Sequence, residues 1–387
     1  MSADSNTSDT RTSPDQLSEG TVLKGTYRIL RFLGEGGAGA VYLGEHTSLG
    51  HGVAIKTLFG KFVRDADMRR RFIEEGVIQA NLSHKNVARV FDIVDDDRFC
   101  AIIMEYVPGR SLDRWLEQQR NAGPIDITLN SKIFLEILDG VKHAHQHGVV
   151  HRDLKPANVL LASQGEALLP KVTDFGIAKV LSDYKHTATG TVMGTVHYAS
   201  PEQLTDAGSV DARSDVYSLG CTLFEMLTGK LPFERDNMFG IMRAHLDAPR
   251  PDATELNPAV PRQVSLVIRK AMAVDREHRY PGCAEFAADL ISALGISSFD
   301  ALTPAIAAAA PPSRGPGSRA ITALGAQDAA LSPRPGTTSP APRTTRGGSA
   351  GPQTTANTRR TQVGAPNATP EPRPAEPAPP VGRLVQA

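Results

Sequence analysis

His151-Arg152-Asp153-Leu154-Lys155-Pro156-Ala157-Asn158 puts an acid, two cations and an amide into one short stretch, and Asp174-Phe175-Gly176 follows sixteen residues after Asn158. The first acid can accept a proton. The amide and the second acid can share a divalent cation. These are the minimum groups for moving a phosphoryl group onto an alcohol, a reaction that needs positioning and charge neutralisation more than covalent chemistry. A general base alone contributes roughly 10²–10⁴-fold in rate. Further cations and a phosphate cradle are therefore expected elsewhere in the chain.

Both lie toward the N-terminus. Gly34-Glu35-Gly36-Gly37-Ala38-Gly39-Ala40-Val41 is a GxGxxGxV pattern. Glycines there let backbone N–H groups approach anionic phosphates that side chains would block. The pattern ends in a strand instead of opening a helix, which disfavours a dinucleotide fingerprint. It also precedes Val53-Ala54-Ile55-Lys56. Lys56 sits mid-strand between apolar neighbours. The plain reading is a snorkelling surface lysine. The sharper one is a cation inside a cleft, facing α- and β-phosphates, which needs an anionic partner to stay oriented. The stretch from Arg69 to Gly76 offers Glu74 and Glu75. These point about 100° apart on a helix, so only one can face Lys56, and spacing leaves the choice open.

The remaining composition bounds the setting. The chain has 387 residues, 40% of them hydrophobic, enough for a sizeable core, and a formal net charge of zero. Zero net charge implies no overall pull toward nucleic acid or anionic membrane. Cys100, Cys221 and Cys283 are far apart and form no CxxC pair, a usage that fits a reduced, cytoplasmic protein. Residues 1–20 lack the apolar stretch of a secretory signal. No window approaches the ~18 apolar residues of a spanning helix. Three zones are expected: a polar, disordered segment over 1–24, a folded region over 25–295, and a disordered Pro/Ala/Ser/Thr/Gly-rich tail over 296–387. The tail has too little aliphatic surface to offset the entropy of ordering.

Within the folded region, Ala40–Glu45, Val53–Leu58, Val90–Val94 and Phe99–Tyr106 read as strands. The last two are joined by the polar turn at Asp95-Asp96-Asp97-Arg98, a hairpin signal. One helix is expected from Asp67 to Leu82. After Pro108-Gly109 the pattern becomes mostly helical. Ile133, Phe134, Ile137, Leu138 and Val141 recur at helical spacing, with Gly148 as a stop, and Val216, Leu219, Leu223 and Leu227 do the same before Gly229. Strands first and helices later predict an α+β fold of two lobes, a small one over 25–107 and a larger one over 108–295, with a hinge near 105–109.

In combination these motifs resemble the eukaryotic-like (Hanks-type) bacterial Ser/Thr protein kinases, over about residues 27–293. The resemblance implies a bilobal protein kinase-like fold with a β-rich N-lobe carrying one key helix and a helical C-lobe. It implies ATP with Mg²⁺ or Mn²⁺ as cofactors, and Ser/Thr hydroxyls of proteins as acceptors. Residue by residue, Asp153 takes the place of the base and Asn158 and Asp174 the two metal-binding positions. Lys155 matches the lysine that contacts the γ-phosphate in Ser/Thr kinases. Lys56 faces the phosphates, and alignment with the family, not geometry, selects Glu75 as its partner. Gly34, Gly36 and Gly39 cover the phosphates. Met104-Glu105-Tyr106-Val107 is similar to the hinge, where Glu105 and Val107 would bond adenine between Leu33, Val41, Ala54 and Leu160.

The stretch from Asp174 to Glu202 resembles an activation segment, with Ser200-Pro201-Glu202 in place of the usual Ala-Pro-Glu. There Glu202 pairs with Arg279, and Asp215 holds the catalytic loop from below. Arg152, beside the base, calls for an anion. Phosphothreonine supplies about −1.5 to −2 charges, so autophosphorylation at Thr187 and Thr189 is expected to order the loop, while Thr195 contacts Asp153 and Lys155. Implied partners are protein substrates and phosphothreonine-binding domains, with no nucleic acid and no integral membrane segment.

His143, His145 and His147 invite a metal-site reading, but residues two apart on a helix do not share a face. The sequence offers no third ligand to His143 and His147, and the metal reading is set aside. Two alternatives to an active kinase are a pseudokinase and a signalling scaffold acting through its tail. A pseudokinase would ordinarily lack Lys56, Asp153 or Asp174, and all three are present.

Overall fold

Runs rich in β-branched and aromatic residues, broken by turn residues, favour strands in the first part of the chain. In the computed structural model, which describes residues 17–36, 38–96, 99–164, 167–175 and 196–296, six strands form one antiparallel sheet. They are β1 (Val22–Leu23), β2 (Tyr27–Glu35), β3 (Gly39–His46), β4 (Gly52–Leu58), β5 (Val90–Asp95) and β6 (Cys100–Glu105). Their order is β1-β2-β3-β4-β6-β5. Expected strands and observed ones agree closely; β1 and the long β2 are additions.

Side chains alternate between the two faces of a strand, and β4 contributes to a buried cluster on each. Val53 and Ile55 join Ile29, Tyr42, Ala101 and Ile103 in one. Ala54 and Leu58 join Phe72, Ile102 and Met104 in the other. By the same period Lys56 belongs to the second face, which is covered by a helix. Short α1 (Gly60–Val63) leads into that helix, α2 (Ala66–Ala80). Asp65 caps α2 by accepting from the N–H groups of Asp67 and Met68, a contact that stabilises a helix by about 1 kcal/mol. α2 lies close to the sheet because residue 76 is glycine. A Cβ there would stand 2.9 Å from Ile93 Cδ1 and 3.1 Å from Ile102 Cγ1.

The second part holds α3 (Leu112–Ala122), α4 (Ile127–Gln146), α5 (Pro201–Thr205), α6 (Ala212–Thr228), α7 (Met238–Asp247), α8 (Ala253–Leu256), α9 (Arg262–Ala271) and α10 (Cys283–Ala293). Phe134, Ile137, Leu138 and Val141 of α4 pack with Val216, Leu219, Leu223 and Leu227 of α6 and with Phe286 and Leu290 of α10. Each such side chain contributes about 1.5–3 kcal/mol by leaving water. α6 is buried on every side from Ser214 to Thr228, as expected of a helix at the centre of a lobe. It ends at Gly229, whose φ of 70° lies in the left-handed region that side chains disfavour.

The second part is mostly helical, as the sequence pattern predicts, and it also carries one small sheet that the pattern did not reveal. A three-stranded sheet of β7 (Gly109–Ser111), β8 (Val159–Gln164) and β9 (Ala167–Val172) lies there. Its strands are three to six residues long, too short for periodicity to separate them from helix. This sheet explains the spacing between the two motifs. β8 begins after Asn158, β9 ends before Thr173, and Val159 pairs with Val172. A hairpin thus returns the chain to its start, and the Thr173 N–H donates to the Asn158 carbonyl at 3.0 Å. Among the described residues no helix is long and apolar enough to cross a membrane. Residues 1–16, Gly37, Gly176 and the tail lie outside the described residues, as do Thr187, Thr189 and Thr195.

Candidate active site

Lys56 on β4 meets two carboxylates from distant parts of the chain. Its Nζ lies 2.9 Å from Glu75 Oε1 on α2 and 2.6 Å from Asp174 Oδ1 just after β9. Burial disfavours the ammonium charge, but Asp174 and Glu75 overcome it and raise the pKa of Lys56. At Glu75 burial prevails over Lys56 and raises the carboxyl. At Asp174 the order reverses: burial opposes ionisation, yet Lys56 holds the carboxyl below its usual range. Glu74 takes no part in this cluster; it is exposed and pairs with Arg70 at 2.9 Å.

The loop between α4 and β8 holds the second group. Lys155 Nζ donates to Asp153 Oδ2 at 2.8 Å. Asn158 Nδ2 donates to the Asp153 carbonyl at 2.8 Å and to Oδ2 at 3.2 Å. The Asn158 amide oxygen makes no hydrogen bond among the described residues, and only Oδ1 of Asp174 is taken by Lys56. Two oxygens therefore stay available, one from each of these residues. Among the described residues no group of three or more His, Cys, Asp and Glu could hold a metal alone. Two protein oxygens completed by phosphate and water suit Mg²⁺, which is commonly bound by one or two carboxylates plus substrate phosphates. The donor set fits that ion.

The loop is gripped from below by Asp215, near the start of α6. Its Oδ2 accepts the His151 N–H at 2.8 Å, and its Oδ1 accepts the Arg152 N–H at 2.9 Å. His145 Nε2 reaches Oδ2 at 2.7 Å, and Cys283 Sγ stands 3.8 Å from the other nitrogen of that ring. Of the three non-glycine residues with positive φ among the described residues, two are here: Arg152 at 66° and Asp174 at 57°. Such backbone costs free energy and persists only where the surroundings restrain it.

His151 supplies some of that restraint, a role the sequence reading did not assign. Its Nε2 contacts the Thr173 carbonyl at 2.9 Å, while Nδ1 accepts the Asp153 N–H at 3.3 Å. Burial lowers its pKa, so a neutral ring links the loop to the backbone just before Asp174. The ring also lies 4.7 Å from that of Phe175.

Farther out, Arg279 has no exposed side-chain surface and pairs with Glu202 through both oxygens, at 2.7 and 2.8 Å. His143 and His147 do share a face of α4, with ring centroids 4.3 Å apart, and His84 stacks on His143 at 5.0 Å. The His84 Nδ1 accepts the Asn86 N–H at 3.2 Å and its Nε2 faces Asp139 Oδ2 at 3.2 Å. That arrangement places a proton on Nε2, where a metal would need a lone pair.

The residues expected around adenine come from four strands. Leu33 lies on β2, Val41 on β3, Ala54 on β4 and Leu160 on β8. Ala54 pairs with Met104 across the sheet and is buried. Leu33, Val41 and Leu160 stay partly open and join none of the buried clusters. Glu105 closes β6, where its carboxylate pairs with Lys171 at 2.9 Å, and Val107 is buried beside it. A Cβ on Gly34 or Gly36 would meet nothing within 4 Å, whereas one on Gly39 would lie against the Thr57 carbonyl.

The sequence matches the protein kinase domain family over residues 27–290. It is 40% identical over 274 residues to serine/threonine-protein kinase PrkC of Bacillus subtilis (strain 168), covering 71% of this chain and 41% of that protein. It is 37% identical over 294 residues to serine/threonine-protein kinase PknJ of Mycobacterium tuberculosis, covering 75% of this chain and 49% of the relative. The chain thus spans less than half the length of these curated relatives. Its fold is similar to the crystal structure of the Mycobacterium tuberculosis PknI kinase domain, with a TM-score of 0.57 and 27% identity over 72% of this chain and all of that one.

Proposed function

This chain belongs to the protein kinase domain family, and we propose on that premise that it transfers the γ-phosphoryl group of ATP to serine and threonine hydroxyls of proteins. The observation that carries the reading is Lys56 bridging Glu75 and Asp174 at 2.9 and 2.6 Å. A surface lysine has no need of two partly desolvated carboxylates. A cation that must stay charged and fixed beside phosphates does.

In this reading Asp153 accepts the proton of the attacking hydroxyl. The hydroxyl oxygen forms its bond to the γ-phosphorus as the bond to the β-phosphate oxygen breaks, and ADP leaves. Lys155, 2.8 Å from Asp153, bears on the γ-phosphate and Lys56 on the α- and β-phosphates. Asn158 and Asp174 would hold Mg²⁺ or Mn²⁺, which when bound neutralises charge on the phosphate oxygens. Glu105 and Val107 hold adenine through backbone groups between Leu33, Val41, Ala54 and Leu160. Gly34, Gly36 and Gly39 cover the phosphates.

Regulation is part of the same reading. The Arg152 guanidinium meets no carboxylate among the described residues, and phosphate on Thr187 or Thr189 would satisfy it. Phosphothreonines would in turn recruit phosphothreonine-binding domains. A reduced, cytoplasmic setting accords with three buried free thiols. The test is transfer from γ-labelled ATP to a protein acceptor by the wild type and by Asp153→Asn, followed by phosphosite mapping. Label on Ser or Thr that Asp153→Asn abolishes supports the reading. Absence of wild-type transfer with both Mg²⁺ and Mn²⁺ overturns it in favour of a pseudokinase.

A further inference from the structure

We propose that Gln203 is a positioning residue for Asp153, an inference that rests on the phosphoryl-transfer reading. Arg152 immediately precedes Asp153 and has a φ of 66°. A non-glycine residue there needs restraint on both sides. On one side Asp215 Oδ1 takes the Arg152 N–H at 2.9 Å. On the other, Gln203 Nε2 donates to the Arg152 carbonyl at 2.6 Å. That carbonyl belongs to the peptide joining Arg152 to Asp153, so its direction sets how the Asp153 side chain leaves the backbone.

The Gln203 amide is itself fixed. Its Oε1 accepts the Ser200 N–H at 2.9 Å, and the Gln203 backbone N–H donates to Ser200 Oγ, closing a capping box on α5. α5 is held in turn by the buried Glu202–Arg279 pair at 2.7 Å. The cap and the catalytic-loop contact make different demands. A capping box needs only an acceptor at this position, so glutamate would serve. The carbonyl of Arg152 needs a donor, which an ionised glutamate lacks. An amide alone meets both demands at neutral pH.

The two demands can be separated with the full chain as wild type, Gln203→Glu and Gln203→Met. For Gln203→Glu we expect kcat to fall about tenfold, the scale of one hydrogen bond turned into an acceptor–acceptor contact, while KM for ATP stays within about twofold. The deficit should narrow as pH falls toward the carboxyl's pKa, since a protonated carboxyl can donate. Gln203→Met should lose kcat similarly without that recovery. Amide hydrogen exchange over residues 151–158, measured without ATP, should quicken in both variants. A Gln203→Glu variant with wild-type kcat and unchanged exchange would overturn the proposal. So would a loss equal at every pH and matched by a rise in KM for ATP, which marks general loosening. An inactive wild type would sink the proposed function instead, and the exchange measurement would still decide this inference.

Discussion

Replacing Asp215 by asparagine tests how the catalytic loop is held. The carboxylate accepts three hydrogen bonds: His151 N–H at 2.8 Å and His145 Nε2 at 2.7 Å on Oδ2, and Arg152 N–H at 2.9 Å on Oδ1. An amide has one acceptor oxygen. In the better orientation that oxygen replaces Oδ2 and keeps two partners, while the NH₂ confronts the Arg152 N–H. One buried donor is then left unsatisfied, which costs about 1–3 kcal/mol, and the two surviving bonds drop from charge-assisted to neutral, about 1 kcal/mol each. The total is about 3–5 kcal/mol. The unsatisfied donor is that of Arg152, whose positive φ needs restraint. At 1.36 kcal/mol per tenfold in rate, kcat should decline by at least about 100-fold if the whole cost is met by the loop leaving its conformation. The assay is steady-state phosphoryl transfer at saturating ATP, alongside thermal unfolding. An Asp215→Asn protein with kcat within threefold of wild type and an unchanged Tm would refute the idea that these bonds hold the loop.

Charge at two other buried sites gives two more expected outcomes. Glu75→Gln removes one partner of Lys56 but also relieves a carboxylate that burial already pushes up, and Lys56 keeps Asp174 at 2.6 Å; kcat/KM for ATP should fall about 10–100-fold with little change in Tm, and equal losses in both would contradict this. His245 is fully buried, receives the Tyr217 hydroxyl at 2.7 Å, and has its pKa lowered from 6.5 to about 3 by burial and by Arg250. Below the unfolded value the unfolded chain takes up a proton that the folded ring refuses, so stability is complete above it and declines as pH drops; near pH 5 the loss from this one site is about 2 kcal/mol. Urea unfolding at about pH 7 and pH 5 should show that loss in the wild type and not in His245→Gln; parallel losses in both proteins would exclude His245 as the source.

Elements with local signals were legible in the sequence. The strands around Lys56 and the helices around Ile133 and Val216 follow from periodicity and stop residues alone. What depended on contacts far along the chain was not. Whether Glu74 or Glu75 faces Lys56 is set by the rotation of α2, which Phe72 and the absent Cβ of Gly76 fix against β5 and β6. The family resemblance selected Glu75; spacing could not. The β8–β9 hairpin escaped because its strands are short, although the sixteen-residue interval from Asn158 to Asp174 is its trace. Gln203 went unnoticed in the sequence: it closes a capping box with Ser200, but its second contact is to a peptide fifty-one residues earlier. His151 carried no readable signal beyond belonging to the motif, since both hydrogen-bond partners of its ring are backbone groups.

The two strained residues also divide the labour of holding the site. Arg152 is restrained by α6 through Asp215 and by α5 through Gln203, so its geometry depends on the helical lobe's core. Asp174 is tied through Lys56 to α2 and through Thr173 and His151 to the loop, so its geometry depends on both lobes. A displacement of α2 would break the Lys56–Glu75 contact yet leave Asp153 set by bonds that do not involve α2. A release of α5 would do the reverse, freeing the Arg152 carbonyl while the lysine cluster stayed paired. Phosphoryl transfer needs both groups in place, because positioning and charge stabilisation act together on one transition state. If the chain transfers phosphoryl groups as proposed, loss of either group stops the reaction, and the route through α5 runs from Ser200 by way of Gln203 to the Arg152 carbonyl beside Asp153.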